Sequence, residues 1–531
     1  MNKILKINEE DNLIVALSDI SQGTEVFWEN ESYVLITDVP AKHKFATEEM
    51  SVGEILYMYG VPVGRAIIPI QKGEIITVDN IEHYAAPISL ENMDPYIWNK
   101  PNIDKWVKRT FKGYVRKDGR VGTRNYWLII PLVFCQNKNV AKLQEALSIP
   151  LGYKTSDYSN ITRNLLGSTD HSFINKRYYP NIDGIRGLHV NSGCGGTEFD
   201  ARSLCKILAC YADHPNVAGV TVFSLGCEKA QIGMFKEELA KINVNFDKPL
   251  LIYRQQDYSS EELMMTEAIE DTFQQLVEAN KIKREEVPLS KLKIGVKCGG
   301  SDGFSGISAN PVMGIVSDRI VALGGGSCLA EFPELCGAEG NILSRCVNFS
   351  DKEKFMLLMK DYEQKANSEG ASIADNPSPG NIRDGLITDA IKSTGASKKA
   401  GSAPIIAVKE YGEQMPDSGL SLVCTPGNDL EAVTGQVAAG ANLILFSTGL
   451  GTPTGNPITP VIKIATNSKV AVKLADMIDF DCGPIIEGKS LDNVADNLLE
   501  VIIASASGNY EVKADRLEQY DFMFWKRNTS L

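Results

Sequence analysis

Three cysteines stand in glycine-rich surroundings: Cys194 in SGCGG, Cys227 in LGCEKAQ and Cys298 in CGGSDGFSG. A thiolate is a soft ligand, so three loop thiols brought together could hold iron, as a single ion or within an iron–sulfur cluster. Burial for packing alone is the competing use, because free cysteine so often serves as a small hydrophobe. Glu228, Asp302, Glu331, Glu334, Asp479 and Asp481 are carboxylates at loops or strand ends, each able to act as ligand or base, and spacing does not choose among them. Histidine is scarce: the five are His43, His83, His171, His189 and His214. His43 and His189 flank apolar segments, where a structural histidine is the commoner outcome.

Three further loops combine Gly and Pro with Ser, Thr, Asn and Asp: CGGSDGFSG (298–306), NPSPGN (376–381) and STGLGTPTGNP (447–457). Such loops let backbone approach a ligand closely and converge N–H donors on an anion. Taken singly each is as well read as a turn; together they favour a polar-ligand site. GPIIEGKS (483–490) matches the phosphate-cradling pattern G-x-x-x-x-G-K-[ST] letter for letter. Its content argues against that use, since Ile485 and Ile486 are bulky and Glu487 would set a carboxylate among phosphates. No strand ending in Asp completes a magnesium site. LGGG at 323–326 lacks the spacing of a dinucleotide fingerprint.

These groups need a scaffold. Residues 1–85 carry short β-branched runs (LIVAL, YVLIT) separated by turns such as SQGTE and QKGE, with one short helix expected in KFATEEMSVGEILYMYG. A linker with Pro87, Pro95 and Pro101 follows over 86–112. Over 113–288 strands alternate with helices: NYWLIIPLVF and VAGVTVFSLG read as strands buried on both faces. DARSLCKILACYA and SSEELMMTEAIEDTFQQLVEANK read as amphipathic helices, the second opening with an S-x-x-E capping box. The alternation restarts over 289–531 with KIGVK, RIVALGGG, APIIAVKEYG, ANLILFS and VIKIATN. The expectation is a small β domain followed by two α/β domains with Gly-rich loops at strand ends, where open α/β sheets bind ligands.

At 531 residues the chain is long enough for several domains. Its net charge of −13 argues against nucleic acid as a partner. Eleven cysteines without C-x-x-C pairs suit reduced thiols in the cytoplasm rather than a disulfide scaffold. No secretory h-region and no membrane-length apolar run is present.

The motifs VRKDGRVGTRNYWLIIP, SGCGG, HPNVAGVTVFSLGCEKAQ, KCGGSDGFSGISANP, PELCGAE, NPSPGN and TPGND…AVTGQVAAGANLILFSTGLGTP occur in this order over nearly the whole chain. Together they resemble the altronate/galactarate dehydratase family, and the N-terminal DNLIVALSDISQGTEV, HKFA and YGVPVGRAIIPIQKGE look like its small β-clip (SAF) domain. The resemblance makes the phosphate-loop match a decoy. It implies a hydro-lyase acting on a sugar acid, most closely D-altronate to 2-dehydro-3-deoxy-D-gluconate. Galactarate dehydration, sulfolactate sulfo-lyase chemistry and a non-catalytic sugar-acid binder stand as alternatives.

The family also implies a divalent metal, usually iron(II), with manganese or an iron–sulfur cluster as variants, and a homodimer or larger homo-oligomer. Carried onto this sequence, it assigns metal ligation to His43, Cys194, Cys227 and Cys298. Catalysis goes to His43, Asp302, Lys463 and Glu228, and substrate contacts to Arg120, Arg124, Asn125, Ser301, Asn310 and Thr448. Three departures stand out. Asn8 occupies a histidine position of the family pattern, Leu450 an arginine position in several relatives, and His189 lies one residue further from the GC pair. A second substrate carboxylate would most want that arginine, which favours a mono-acid.

Overall fold

In the computed structural model of the chain, residues 3–86, 95–153 and 177–531 are described, with Ile161 and Leu165 between them. His171 lies outside the described residues.

Residues 3–86 fold as short antiparallel pairings around two small cores. Ile4–Leu5, Leu13–Ala16 and Lys44–Ala46 form one sheet, Glu25–Trp28 pairs with Glu31–Val34, and Ile55–Met58, Val61–Ala66 and Ile81–Glu82 form another. The helix expected over 44–60 is absent: Lys44–Ala46 and Ile55–Met58 are strands. Alternation wins there, because Leu56 and Met58 are buried while Tyr57 between them faces outward. This domain does not stand alone. Leu13, Val63 and Ile70 share a core with Phe304, Ile307, Leu386 and Ile391 of the C-terminal part.

The second part holds a four-stranded parallel sheet in the order Gly184–Gly187, Tyr126–Pro131, Val217–Ser224, Leu250–Arg254. Every residue of Tyr126–Pro131 and Val217–Ser224 is buried, as continuous apolar runs require when helices cover both faces. Helix Glu198–Asp213 is capped by the Thr197 hydroxyl, which accepts from the Asp200 amide. Helix Glu261–Ala279 is capped by Ser260 and not by Ser259 as its S-x-x-E spelling suggests. Thr110–Val115, Val121–Gly122 and Arg284–Pro288 form a small antiparallel sheet beside it.

The third part is a seven-stranded parallel sheet. Its order is Ile405–Lys409, Gly419–Val423, Gly326–Leu329, Lys293–Cys298, Leu443–Thr448, Val461–Ala465, Phe480–Asp481. RIVALGGG is not a strand here. Arg319–Ala322 close helix Ala309–Ala322, and the next strand begins at Gly326, once Gly324, at φ +89°, and Gly325 have ended the helix and turned the chain.

Both sheets share one topological property. The first strand in sequence lies inside the sheet, the second pairs on one side of it, and a later strand pairs on the other. In the larger sheet the reversal falls between Lys293–Cys298 and Leu443–Thr448; in the smaller, between Tyr126–Pro131 and Val217–Ser224. Such a reversal opens a crevice at the carboxyl ends of the strands. One apolar core runs through both α/β parts, joining Leu128 and Leu204 to Ile294 and Leu445. Among the described residues, no helix is long and apolar enough to cross a membrane.

Candidate active site

The crevice at the reversal of the larger sheet is a cleft of about 610 Å³. Its walls come from the three loops that composition had marked. Cys298, Gly299, Gly300 and Ser301 belong to the first; Asn376, Ser378 and Asn381 to the second; Leu450, Pro453 and Thr454 to the third. Asn381 Nδ2 donates to Ser301 O at 2.8 Å, tying the first two loops together. Thr448 Oγ1 accepts the amides of Gly451 and Thr452 at 2.9 and 3.1 Å, which folds the third loop over the strand end.

Beneath one wall lies Asp302, fully buried. Its Oδ1 accepts from Ser305 Oγ at 3.0 Å, and its Oδ2 from Thr466 Oγ1 at 3.1 Å and Asn467 Nδ2 at 3.3 Å. A side chain on Gly449 would sit 2.3 Å from the Asp302 carboxyl carbon, so only glycine fits there. The N-terminal domain completes this corner. Lys42 Nζ lies 3.1 Å from Asp302 Oδ2 and 2.7 Å from Asp384 Oδ1. Lys44 Nζ, fully buried, donates to Lys42 O and Gly385 O at 3.0 and 2.6 Å. Burial drives Lys44 down to about 7, with Asp302 opposing the shift only in part. Burial would also lower Lys42, but the Asp302 and Asp384 carboxylates outweigh it and hold Lys42 above the ordinary lysine value. His43, between the two lysines, places Nε2 3.0 Å from Arg383 O, while its Nδ1 is buried without a partner.

The opposite wall hides a second ionic group. Glu334 lies 3.0 Å from Lys392 Nζ and 3.5 Å from Lys399 Nζ, and Glu331 lies 2.6 Å from Lys297 Nζ. Lys297 also reaches Asp429 at 2.6 Å. Lys399 Nζ is 3.0 Å from Cys298 Sγ. Burial and the neighbouring Glu334 carboxylate raise Glu331. Burial works the same way on Glu334, yet Lys392, Lys399 and Lys297 outweigh it and hold that carboxyl well below its ordinary value. Glu331 has φ +66°, a left-handed conformation costing on the order of 1–3 kcal/mol in a residue with a side chain. Strain of that kind persists where the surroundings over-determine it, which here they do.

Cys298 Sγ and one carboxylate oxygen each of Glu331 and Glu334 lie within 4.8 Å of one another, close enough for a single ion. The electrostatics do not fit one. Three ammonium groups, all nine-tenths buried or more, already neutralise two carboxylates, and burial raises the Cys298 thiol. A dication placed there would meet Lys399 at the sulfur and Lys297 and Lys392 at the carboxylates, with little solvent to screen the repulsion. Iron(II) does not belong in this group.

The residues assigned by resemblance scatter over the molecule. Asp302 and Ser301 lie at the cleft. Lys463 lies below it, fully buried, donating to Thr452 O at 2.7 Å and lowered by burial to about 8. Asn310 bridges Ser447 Oγ and Gly395 O and so fastens its helix to the sheet. Arg120, Arg124 and Asn125 lie at the other edge. Thr123 Oγ1 donates to Asn442 O, just before Leu443–Thr448 starts, about 20 Å of strand away from the cleft. Arg120 is paired with Asp118 and Asp213, Arg124 donates to Thr123 O and Ser505 O, and Asn125 accepts from Arg116. Arg120 and Asn125 bond within the second part and Arg124 ties it to the C-terminal part, so the structure does not bring them to the cleft as substrate contacts.

The four residues assigned as metal ligands do not form one set. Cys298 belongs to the lysine–glutamate group and His43 to the Arg383 carbonyl. Cys194 and Cys227 lie in loops of the smaller sheet, beside Glu228, which accepts from Ser224 Oγ and Gly226 N. GPIIEGKS forms a single 3-10 turn, Gly483–Ile485, and its Ser490 caps helix Leu491–Ala506 from outside. The helix therefore starts after the motif, where the loop cannot wrap a phosphate. Sequence reasoning missed Lys42, Lys44, Lys297, Lys392 and Lys399. A signal was present in KIGVKC, where a lysine interrupts a run otherwise suited to a buried strand.

The chain was compared with known proteins. Residues 2–84 match the altronate/galactarate dehydratase SAF domain, 113–280 the second domain of D-galactarate dehydratase/altronate hydrolase, and 289–530 the D-galactarate/altronate dehydratase C-terminal domain. The altronate dehydratase of Escherichia coli K12 is 35% identical over 95% of this chain and 95% of its own length. This chain belongs to the altronate/galactarate dehydratase family. The altronate dehydratase of Bacillus subtilis 168 is also 35% identical, over 92% of this chain and 91% of its own. The galactarate dehydratase (L-threo-forming) of E. coli K12 is 28% identical over 96% and 94%. Membership accounts for the order of the motifs along the chain.

Proposed function

We propose that this protein is a sugar-acid hydro-lyase that converts D-altronate to 2-dehydro-3-deoxy-D-gluconate and water. The observation that carries the reading is 35% identity to two altronate dehydratases over more than nine-tenths of the chain, with the marked loops lining one polar cleft. Lys392, which lines that cleft and is held protonated by Glu334 against the effect of burial, receives the substrate carboxylate. Its charge stabilises the enediolate that develops when the weakly acidic C2 proton is removed. Lys44 is the base: with its value near 7, a large fraction is unprotonated at neutral pH. The electron pair of the C2–H bond forms the C2–C3 double bond as the C3–O bond breaks. The Lys42 ammonium protonates the departing hydroxyl to water, and the enol tautomerises to the 2-keto acid. No step runs through a metal at Cys298, where iron does not fit.

Leu450, half-exposed on the cleft wall, offers nothing to a second carboxylate, which supports altronate over galactarate. The reading includes a cytoplasmic location, supported by eleven cysteines that are all free, and a homo-oligomer, which rests on the family resemblance alone. Its test is anaerobic turnover of D-altronate with iron(II) supplied, detecting the 2-keto-3-deoxy acid, with galactarate and sulfolactate in parallel. Product from altronate supports the reading. Product from another acid alone reassigns the substrate, and silence on all three in folded, iron-replete protein overturns the hydro-lyase.

A further inference from the structure

Another cavity, of about 430 Å³, lies where the N-terminal domain meets the C-terminal part. It shares no lining residue with the cleft, and the proposed chemistry uses none of its side chains. Val61 and Pro62 form one wall, Pro311 and Ile315 of helix Ala309–Ala322 a second, and the GAE of PELCGAE a third. Val61, Pro62, Pro311 and Ile315 are each only partly buried, so the cavity leaves apolar surface uncovered. Its volume falls within the range of about 300–1,000 Å³ usual for small-molecule sites, which favour domain boundaries and apolar walls with a few polar groups.

The polar groups come from one helix end. Thr394 and Ser397 belong to helix Asp389–Ser397 and Lys398 follows it, at spacings of three and four that share a face. Lys392, two residues before Thr394, lies on the opposite side of the same helix and lines the cleft. Thr394 is buried, and its Oγ1 has no hydrogen-bond partner among the described residues. Lys398 is exposed, with Nζ 5.7 Å from the centre of the Tyr59 ring, and it forms no ion pair among the described residues. The other charged groups of the cavity are engaged. Asp318 accepts from Ser402 N, Ser402 Oγ and Ala403 N at 2.7–2.8 Å. Glu339 accepts the Gly337 amide at 2.7 Å, and Arg345 donates twice to Ala403 O.

We infer that this cavity binds a small organic acid with an apolar body, its carboxylate on Lys398 and Thr394 and its body against Pro62, Pro311 and Ile315. An unbonded buried hydroxyl and an unpaired ammonium are the two donors such a carboxylate wants. A sugar acid is a poor fit, because its hydroxyls would lie against proline and isoleucine without partners. A phosphate would want more donors, and the Arg345 fork is already spent. The site is set beside the machinery of the cleft. Tyr59, in a left-handed turn at φ +62°, packs so closely that a side chain on Gly306 would come within 2.3 Å of its hydroxyl. A ligand against Tyr59 and Thr394 therefore touches both the N-terminal domain and the helix that carries Lys392.

The test is calorimetric titration of the full chain with hexanoate, octanoate and 4-phenylbutanoate, each beside its neutral amide. The expected result is one site per chain for at least one acid, with the matching amide bound about tenfold more weakly. Lys398→Met should erase that preference, and Ile315→Trp, which fills the cavity, should abolish binding of acid and amide alike. Leu450→Glu, which sets a carboxylate on the cleft wall, should leave binding in place. Circular dichroism verifies that each variant is folded. Absence of saturable binding of all three acids to the folded wild type overturns the inference. So does an acid preference kept in Lys398→Met, binding unchanged in Ile315→Trp, or binding lost in Leu450→Glu, which would put the acid in the cleft. The readout is binding, so it stands apart from which acid is turned over.

Discussion

The two parallel sheets of this protein reverse strand order in the same way, yet the edges they expose are chemically opposite. At the larger sheet the ionisable groups are hidden: Asp302, Lys44, Lys297, Glu331 and Lys399 are all at most 1% exposed. At the smaller sheet three thiols stand in the open. Topology makes a crevice in both, and side-chain chemistry decides what each can hold. A buried, charge-matched set suits proton transfer on an anion, because low dielectric strengthens every interaction and shifts pKa values. Exposed thiols are open to solvent and to reagents.

The largest expected effect separates the edges by catalysis. Asp302→Asn removes the charge facing Lys42 and Lys44 and should lower kcat by about 10²–10⁴-fold, typical of losing acid–base machinery. Near-normal turnover in that variant would remove the corner from the mechanism. Gly449→Ala forces a methyl against the Asp302 carboxyl; a fall in kcat exceeding any fall in melting temperature is expected, and the reverse would make Gly449 merely structural.

Stability sharpens the contrast further. Glu334→Ala strands the buried Lys392 and Lys399 ammonium groups and should cost about 3–5 kcal/mol in denaturant unfolding. Cys194→Ser, at an exposed site, should stay within about 0.5 kcal/mol when compared without metal. Equal losses would erase the distinction between the edges.

The pH dependence of Lys44 makes a subtler case. Its value is lowered on folding, so between pH 7 and the ordinary lysine value the unfolded chain binds more protons, and stability rises with pH across that window. Lys44→Met should therefore stabilise the fold by up to a few kcal/mol at pH 7, with the gain fading toward about pH 10. In the wild type kcat/KM should climb through about pH 7, a limb that Lys44→Met abolishes and Lys463→Met leaves in place. The smallest effect is thiol reactivity: a disulfide reagent should titrate three thiols quickly in the native metal-free chain, and Cys298 only after unfolding.

Much of this was legible beforehand, for identifiable reasons. The loops at 298–306, 376–381 and 447–457 declared themselves by composition, since Gly, Pro and small polar residues serve turns and backbone donors wherever they occur. The buried strands followed from continuous apolar runs. Lys42, Lys44, Lys392 and Lys399 were not legible, because a lysine in sequence looks solvated until its neighbours are known. Arg120 and Arg124 misled in the opposite sense: arginine suits a carboxylate substrate, but here Asp118, Asp213 and backbone carbonyls claim both side chains. The helix expected over 44–60 failed because a short strand pattern carries too few residues to fix its period.

Sequence by itself determined the family, the β-then-α/β plan and the loops that form the cleft, because motif order and hydrophobic period are properties of the linear chain. Tertiary structure alone decided which edge each group joins. It carried Lys44 from the N-terminal domain to Asp302, more than 250 residues away in the chain, and enclosed Cys298 among lysines while leaving Cys135, Cys194 and Cys227 exposed. Those outcomes depend on burial and on distances between residues remote in sequence, and it is burial that sets the charge a lysine or a thiol carries.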